Sequence, residues 1–213
     1  VCLKRKFNQW IKSMDITKKT YERKDVVEKY YERYLKIPDY FEINISKLVK
    51  EFPGKKLLDV GCGPGQFSRI FANQGFEVVG IDYSKTMIEK AKSLSEDKDN
   101  PEYKVMDMRN LKGFFDKSTF DVIWASASLL HLDLDEIQKV LSDFKYILKR
   151  GGHIFLIVKL GEQGTILLND GDLGESVRRK FTFLNQDWFE ESLNKLNLSI
   201  IERKLKKGSV INK

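Results

Sequence analysis

The sequence predicts an α/β fold: a doubly wound, mainly parallel sheet of about six to seven strands, with helices on both faces and an N-terminal helical cap. Three observations carry this expectation. Short apolar, strand-like segments alternate with helix-period segments from residue 56 onward, the pattern of βαβ units. The first of these strands runs directly into a glycine-rich turn and then a helix, Leu57-Leu58-Asp59-Val60-Gly61-Cys62-Gly63-Pro64-Gly65-Gln66-Phe67. The residues before it carry helical periodicity alone.

Taken in order, residues 18–36 read as a helix with Val26, Val27, Tyr30, Tyr34 and Leu35 in a stripe, interrupted at Pro38. Phe41, Ile45, Leu48, Val49 and Phe52 line one face of a second helix that ends at Pro53-Gly54. Lys56 to Val60 is the first strand, 65–74 a helix and Glu77 to Ile81 the second strand. Ser84 caps a helix carrying Met87, Ile88, Ala91 and Leu94. Tyr103 to Met106 and Phe120 to Ala125 are the third and fourth strands, the latter with a buried Val-Ile-Trp run. Asp133 and Glu136 offer a capping-box variant before a helix with the stripe Ile137, Val140, Leu141, Phe144, Ile147 and Leu148. Gly151-Gly152 turns into a fifth strand, His153 to Lys159, and a helix near 186–196 precedes a sixth strand near 198–205.

The whole chain reads as one domain, 1–213. Residues 1–52 form a basic helical cap, 56–160 the core, 161–180 a lid or specificity loop, and 181–213 a C-terminal helix with edge strands. The final hairpin partner would begin at Val210, with Lys213 the last residue, so the expectation is either a truncated chain or an unusually short edge strand. Val1 is not methionine and Met14 is followed by a plausible beginning, which leaves the origin of residues 1–13 open.

Composition narrows the function. Hydrophobic residues make up 41% and charged residues 32%, the balance of a globular domain. No apolar run approaches the roughly 18–20 residues of a membrane span, and the N-terminus lacks the apolar stretch of a secretory signal. With two cysteines, Cys2 and Cys62, and two histidines, neither a disulfide framework nor a metal site is expected, and a reducing cytoplasm fits. The net charge of +7 lies entirely in residues 1–56, where 15 Lys/Arg face 8 Asp/Glu. That asymmetry leaves a nucleic-acid contact open beside the plainer reading of a solvated helix face.

The glycine turn allows backbone to approach a ligand closely and sets helix N-terminal amides beside it. A bare glycine pattern is common, but here it follows a strand and opens a helix. Asp82 stands 21 residues after Gly61, at the end of the second strand. In a doubly wound fold that position faces an adenosine ribose, whose two hydroxyls a carboxylate can accept.

Together these residues resemble the class I, Rossmann-like S-adenosylmethionine-dependent methyltransferases over roughly residues 20–205. Leu58 to Gly65 matches that family's first motif, and its G-x-G-x-G spacing differs from the G-x-G-x-x-G of nicotinamide-binding folds. Val79-Gly80-Ile81-Asp82-Tyr83-Ser84 resembles the ribose motif. Met106-Asp107-Met108 resembles the adenine motif, in which a carboxylate meets the amino group. Phe120 to Ala125 resembles the fourth-strand motif, and Leu148 to His153 the turn before the fifth strand, with Arg150 in place of the usual proline. The resemblance implies a cofactor site of Tyr30, Asp59, Gly61, Cys62, Gly63, Gly65, Asp82, Tyr83, Met87, Asp107, Met108, Ala125 and Ser126. Its ligand is S-adenosyl-L-methionine, its product S-adenosyl-L-homocysteine. Tyr30 is the best match to a tyrosine that closes over the cofactor, with Tyr21 and Tyr31 as partners.

Such an enzyme presents an electrophilic methyl and needs chiefly to hold the acceptor in line and exclude water. A base is needed only where the acceptor must lose a proton. His131, after the fourth strand, is the one candidate for acid–base or acceptor-orienting work, with simple packing as the alternative. His153 is read as structural. The Asn-Pro-Pro-Tyr type of signature is absent, Ala125-Ser126-Ala127-Ser128 standing there instead, which favours a small-molecule acceptor. An RNA- or protein-directed methyltransferase, a catalytically silent cofactor- or RNA-binding module, and a nicotinamide-dependent oxidoreductase are the competing readings.

Overall fold

The computed structural model describes residues 16–35, 39–52, 55–96, 98–171, 173–174 and 177–205. Residues 1–15, which hold part of the basic excess, and 206–213, with the expected last hairpin partner, lie outside them.

Five parallel strands form the main sheet: β1 Lys56–Val60, β2 Glu77–Asp82, β3 Glu102–Val105, β4 Phe120–Ser126 and β5 Leu148–Ile157, in the order β3-β2-β1-β4-β5. The order reverses between β1 and β4, the place where such sheets open a crevice at their carboxyl ends. Period-2 alternation sends neighbouring residues to opposite faces. Leu57, Val78, Val122 and Trp124 pack with Phe41, Ile45 and Leu48 of helix α2 (Asp39–Glu51) and Phe71 of α3 (Gln66–Asn73). Leu58, Val79, Ile123 and Ala125 face the other way, onto Ile137, Val140, Leu141 and Phe144 of α5 (Leu134–Ile147). Both faces are therefore covered, and the near-continuous apolar strands follow from that. Between them in chain order, α4 is Lys85–Ser93, and its N-cap Ser84 Oγ accepts the Met87 amide at 3.1 Å. At the start of α5, Glu136 Oε2 accepts the Asp133 amide at 2.9 Å.

The cap divides where one helix was expected. A helical segment covers 16–21, and α1 follows as Lys24–Arg33. The two are held on α4 by side chains: Glu22 accepts the amides of Lys85 (3.0 Å) and Thr86 (3.2 Å), and Ser84 Oγ donates to the Tyr21 carbonyl at 2.8 Å. A carboxylate at a helix N-terminus satisfies free amides and meets the positive end of the dipole.

Two expectations for the C-terminal third are corrected. The stretch 161–180 is not a loop. Gly164–Asn169 (β7) pairs antiparallel with Arg178–Leu184 (β8), and Lys159–Leu160 (β6) runs parallel on the other side of β8, forming a separate three-stranded sheet in the order β6-β8-β7. Within β8, Arg179 and Lys180 are buried against Asp170 and Asp133. Helix α6 is Gln186–Lys195, but residues 198–205 form no strand. They have no ladder partner among the described residues, and Ile201 and Leu205 stay over 70% exposed. Among the described residues the main sheet thus has five strands rather than six to seven: the expected sixth, 198–205, does not form, and β6, β7 and β8 make a sheet of their own. Among the described residues no helix is long and apolar enough to cross a membrane.

Candidate functional site

The carboxyl ends of β1, β2, β3 and β4 converge on one cleft. Its floor is the turn after β1. Gly61 and Gly65 adopt left-handed backbone, φ +70° and +74°. A Cβ on Gly61 would stand 2.5 Å from the Ser128 Cβ, so the turn can lie against the segment after β4 only without a side chain. A Cβ on Gly65 would strike the Tyr103 hydroxyl, which donates to the Gly65 carbonyl at 3.2 Å. At Gly63 a Cβ would meet the Tyr30 ring at 3.5 Å and the Met87 sulfur at 4.0 Å, the bounds of the cleft at that point.

Asp82 ends β2 with both carboxylate oxygens held by backbone. Oδ2 accepts the Gly63 amide at 3.1 Å and Oδ1 the Ser84 amide at 2.8 Å. Burial outweighs these bonds and pushes the carboxyl up to about 6. Asp59 is also buried and pushed up, to about 7, by desolvation. Its Oδ2 accepts from Ser68 Oγ at 2.6 Å, tying β1 to α3. It supports the turn from behind and does not line the cleft.

Asp107, after β3, caps the 3-10 turn Met108–Gly113 by accepting the Arg109 amide at 3.0 Å. The Arg109 guanidinium also binds it through Nε at 2.8 Å and reaches Glu136 at 2.8 Å. Burial alone would raise the Asp107 carboxyl, but the Arg109 bonds win and hold it below its ordinary value. The adenine-motif carboxylate is thus ionised and already partnered by a cation.

The roof and far wall come from elements remote in sequence. Thr17, Tyr21 and Tyr30 descend from the cap, and Ser126, Ala127, Ser128 and His131 follow β4. His131 Nδ1 lies 2.6 Å from the Lys180 carbonyl, which can only accept, so Nδ1 carries the proton. Nε2 then accepts from the Tyr21 hydroxyl at 3.1 Å, and the Tyr21 oxygen accepts from Arg179 Nη1 at 2.5 Å. Desolvation, with Arg179 and Lys180 adding to it, drives the imidazole down to about 3 against the Lys180 carbonyl bond. His131 is therefore neutral and in one tautomer, its single ring proton committed to the Lys180 carbonyl and its Nε2 left as an acceptor.

Of the residues expected in the cofactor site, Tyr30, Gly61, Gly63, Asp82, Tyr83, Met87, Asp107, Met108 and Ser126 line this cleft, together with His131. Asp59, Cys62, Gly65 and Ala125 stand behind it: Ala125 and Cys62 are buried in the core, and Gly65 packs on Tyr103. Tyr31 turns away, its ring under the Lys90 ammonium at 4.9 Å. His153 sits on the outside beside Phe52 and Glu51. Sequence reasoning missed Thr17, Ser128, Arg109 and Arg179. The alternation Arg179, Phe181, Phe183 was the one local sign that Arg179 faces inward. Among the described residues no group of acidic, histidine and cysteine side chains could hold a metal ion.

Comparison with known proteins agrees with this geometry. A family profile described as a methyltransferase domain matches residues 58–156. A ubiquinone biosynthesis O-methyltransferase of Coxiella burnetii is 34% identical over 103 residues, 48% of this chain and 42% of that protein. A phosphoethanolamine N-methyltransferase of Zea mays is 26% identical over 111 residues, 52% of this chain and 22% of that protein. The chain thus matches less than half the length of these relatives. Among solved structures, an S-adenosylmethionine-dependent methyltransferase of Methanosarcina mazei superposes with a TM-score of 0.58 at 24% identity, covering 67% of this chain and 78% of the other. Haemonchus contortus phosphoethanolamine N-methyltransferase 2, solved with S-adenosyl-L-methionine, gives 0.55 at 22% identity, covering 72% and 36%. Through the glycine turn, the Asp82 position, the strand order and the matched stretch 58–156, this chain resembles the class I, Rossmann-like S-adenosylmethionine-dependent methyltransferases and shares their fold.

Proposed function

We propose that this protein transfers a methyl group from S-adenosyl-L-methionine to a small-molecule acceptor and releases S-adenosyl-L-homocysteine. The observation that carries the reading is Asp82: a buried carboxylate, fixed by two backbone amides at the carboxyl end of β2, beside a glycine turn. Each of its oxygens keeps lone-pair capacity for a ribose hydroxyl. The residues fit such a ligand. Gly63 leaves room that a Cβ would fill, and Asp107 is ionised to accept from an amino group.

When bound, the cofactor supplies an electrophilic methyl on a sulfonium. The chain's own part is positioning. Asp82 would hold the ribose and Asp107 the adenine amino group, with the Gly61–Gly63 backbone free of side chains beside them. Tyr21 and Tyr30 close the cleft to water, which favours in-line attack. His131, neutral and locked by Tyr21 and the Lys180 carbonyl, suits orienting an acceptor better than carrying a proton. The cleft measures about 80 Å³, against roughly 300 Å³ or more for a site of this ligand size. Binding therefore goes with movement of the cap or of the Tyr30 and Arg109 side chains. A small acceptor is supported by the enclosure and by the methyltransferases the chain resembles. A cytoplasmic location rests on the cysteine usage alone.

The test is calorimetric titration with S-adenosyl-L-homocysteine and with NAD, followed by a methyl-transfer screen of metabolite extracts and RNA with labelled cofactor. Binding of the first compound alone and label in a metabolite fraction are expected. Binding of NAD instead would overturn the cofactor reading, and label confined to RNA the acceptor reading.

A further inference from the structure

Beside the cleft lies a wider cavity, and Tyr30 and Ala127 line both. Two cations face it from the small sheet. Arg179 and Phe181 share one face of β8, two residues apart. Arg179 Cζ lies 4.9 Å from the centre of the Phe181 ring, and Lys159 Nζ, on β6, lies 5.6 Å from the same ring and 5.9 Å from that of Phe183. Ring faces hold cations without neutralising them. The Arg179 guanidinium is ion-paired with the buried Asp170 carboxylate, which Arg33 also reaches at 3.5 Å, so two guanidinium groups share one carboxylate beside Lys159. Lys159 has no carboxylate partner among the described residues. Arg179 is only 8% exposed, yet its Nε has no hydrogen-bond partner. A buried guanidinium donor left unmade is costly unless something else fills it. Burial lowers the Lys159 pKa, and the positive charges of Arg179 and Arg33 lower it further, so the local excess of positive charge is felt at its ammonium.

We propose that Lys159 and Arg179 bind an oxyanion, a phosphate or carboxylate carried by the methyl acceptor. Its anionic end sits against Phe181, and its nucleophilic end reaches the cleft past Tyr30 and Ala127. The two cations match the chemistry: a guanidinium offers directed donors to an oxyanion, and an ammonium adds a point charge. Arg179 also donates to Tyr21, which donates to His131. The oxyanion site is thereby linked to the wall where the acceptor's reacting atom belongs. This inference rests on the reading that the adjoining cleft holds the methyl donor.

The experiment titrates the full chain with inorganic phosphate and, separately, with acetate, each with and without saturating S-adenosyl-L-homocysteine, at low and high chloride. Chemical-shift or calorimetric binding is the readout. At least one anion is expected to bind, more tightly with the cofactor product present, and more weakly at high chloride. The tighter of the two identifies the group the acceptor carries. Lys159→Met keeps the stem over Phe181 and Phe183 and should weaken that anion by about tenfold or more, while Lys159→Arg should restore it. Binding of neither anion in any condition overturns the proposal, as does equal binding by Lys159→Met. Cofactor-product binding is measured first: if it is present and anion binding absent, only the oxyanion site falls. If it is absent, the methyl-donor reading falls, and the titrations of the free protein still decide the anion site.

Discussion

Asp82→Asn separates a residue kept for a ligand from one kept for the fold. In the ligand-free protein the carboxyl is raised from an ordinary 3.8 to about 6. A carboxyl raised in this way is harder to ionise folded than unfolded, so it subtracts stability above about pH 6 and ceases to do so below about pH 4. The cost is on the order of 3 kcal/mol at neutral pH. Asparagine carries no charge and escapes that cost. It can still accept the Ser84 amide through its carbonyl, but its NH2 then faces the Gly63 amide, now 3.1 Å from Oδ2. An unmade bond there costs about 1–3 kcal/mol. The two effects nearly cancel, so the free variant should unfold within about 2 kcal/mol of the parent at pH 7.5. Cofactor binding has no such compensation. Two charge-assisted bonds to a ribose diol contribute about 1.5–3 kcal/mol each, and losing their strength should raise the Kd for S-adenosyl-L-homocysteine by about 100-fold or more. Denaturant unfolding of the free protein and calorimetry with S-adenosyl-L-homocysteine measure the two quantities. An affinity within about threefold of the parent would refute the ribose role. A loss of stability well beyond 4 kcal/mol would instead make Asp82 a structural residue.

The same carboxyl sets a pH dependence: binding needs it ionised, so affinity for S-adenosyl-L-homocysteine should be flat above about pH 6 and fall by up to about tenfold per pH unit below it. Isothermal titration between pH 5 and 8 checks this, and an affinity that rises on acidification contradicts it. His131→Ala should lower turnover by about 10- to 100-fold with the acceptor found in the screen, while the cofactor-product Kd stays within about threefold; unchanged turnover removes His131 from the mechanism. Gly61→Ala combines a left-handed φ of +70° with a 2.5 Å approach to Ser128, and should destabilise by about 2–4 kcal/mol. A thermal midpoint lowered by roughly 5–15 °C is expected; an unchanged midpoint means the turn and Ser128 do not meet as described.

Much of the core is legible because its signals are local. The four strands β1 to β4 and the helices between them follow from runs of apolar residues and from caps such as Ser84 and Glu136, each readable within a dozen residues. Asp82 is legible because strand, turn and helix lengths tie it to Gly61. The small sheet is different. Gly-Thr-Ile-Leu-Leu-Asn and Arg-Arg-Lys-Phe-Thr-Phe-Leu lack clean alternation, and cations are uncommon inside a core. Arg179 and Lys180 are buried because carboxylates from other segments, Asp170 and Asp133, receive them. Conversely, residues 198–205 have strand-like composition, but a strand exists only with a partner.

By itself the sequence determined the fold class and the methyl-donor motifs, since the glycine turn, Asp82 and Asp107 each depend on spacing along one strand and its following loop. Only the tertiary structure decided how the cleft is closed and what faces the acceptor. Tyr21 meets His131 across 110 residues and Arg179 across 158. The proton on His131 is assigned by a carbonyl from a sheet not legible in the sequence. Asp107 keeps its charge because Arg109 folds back onto it. These are matters of through-space electrostatics and burial, which depend on which surfaces meet and not on the order of residues along the chain.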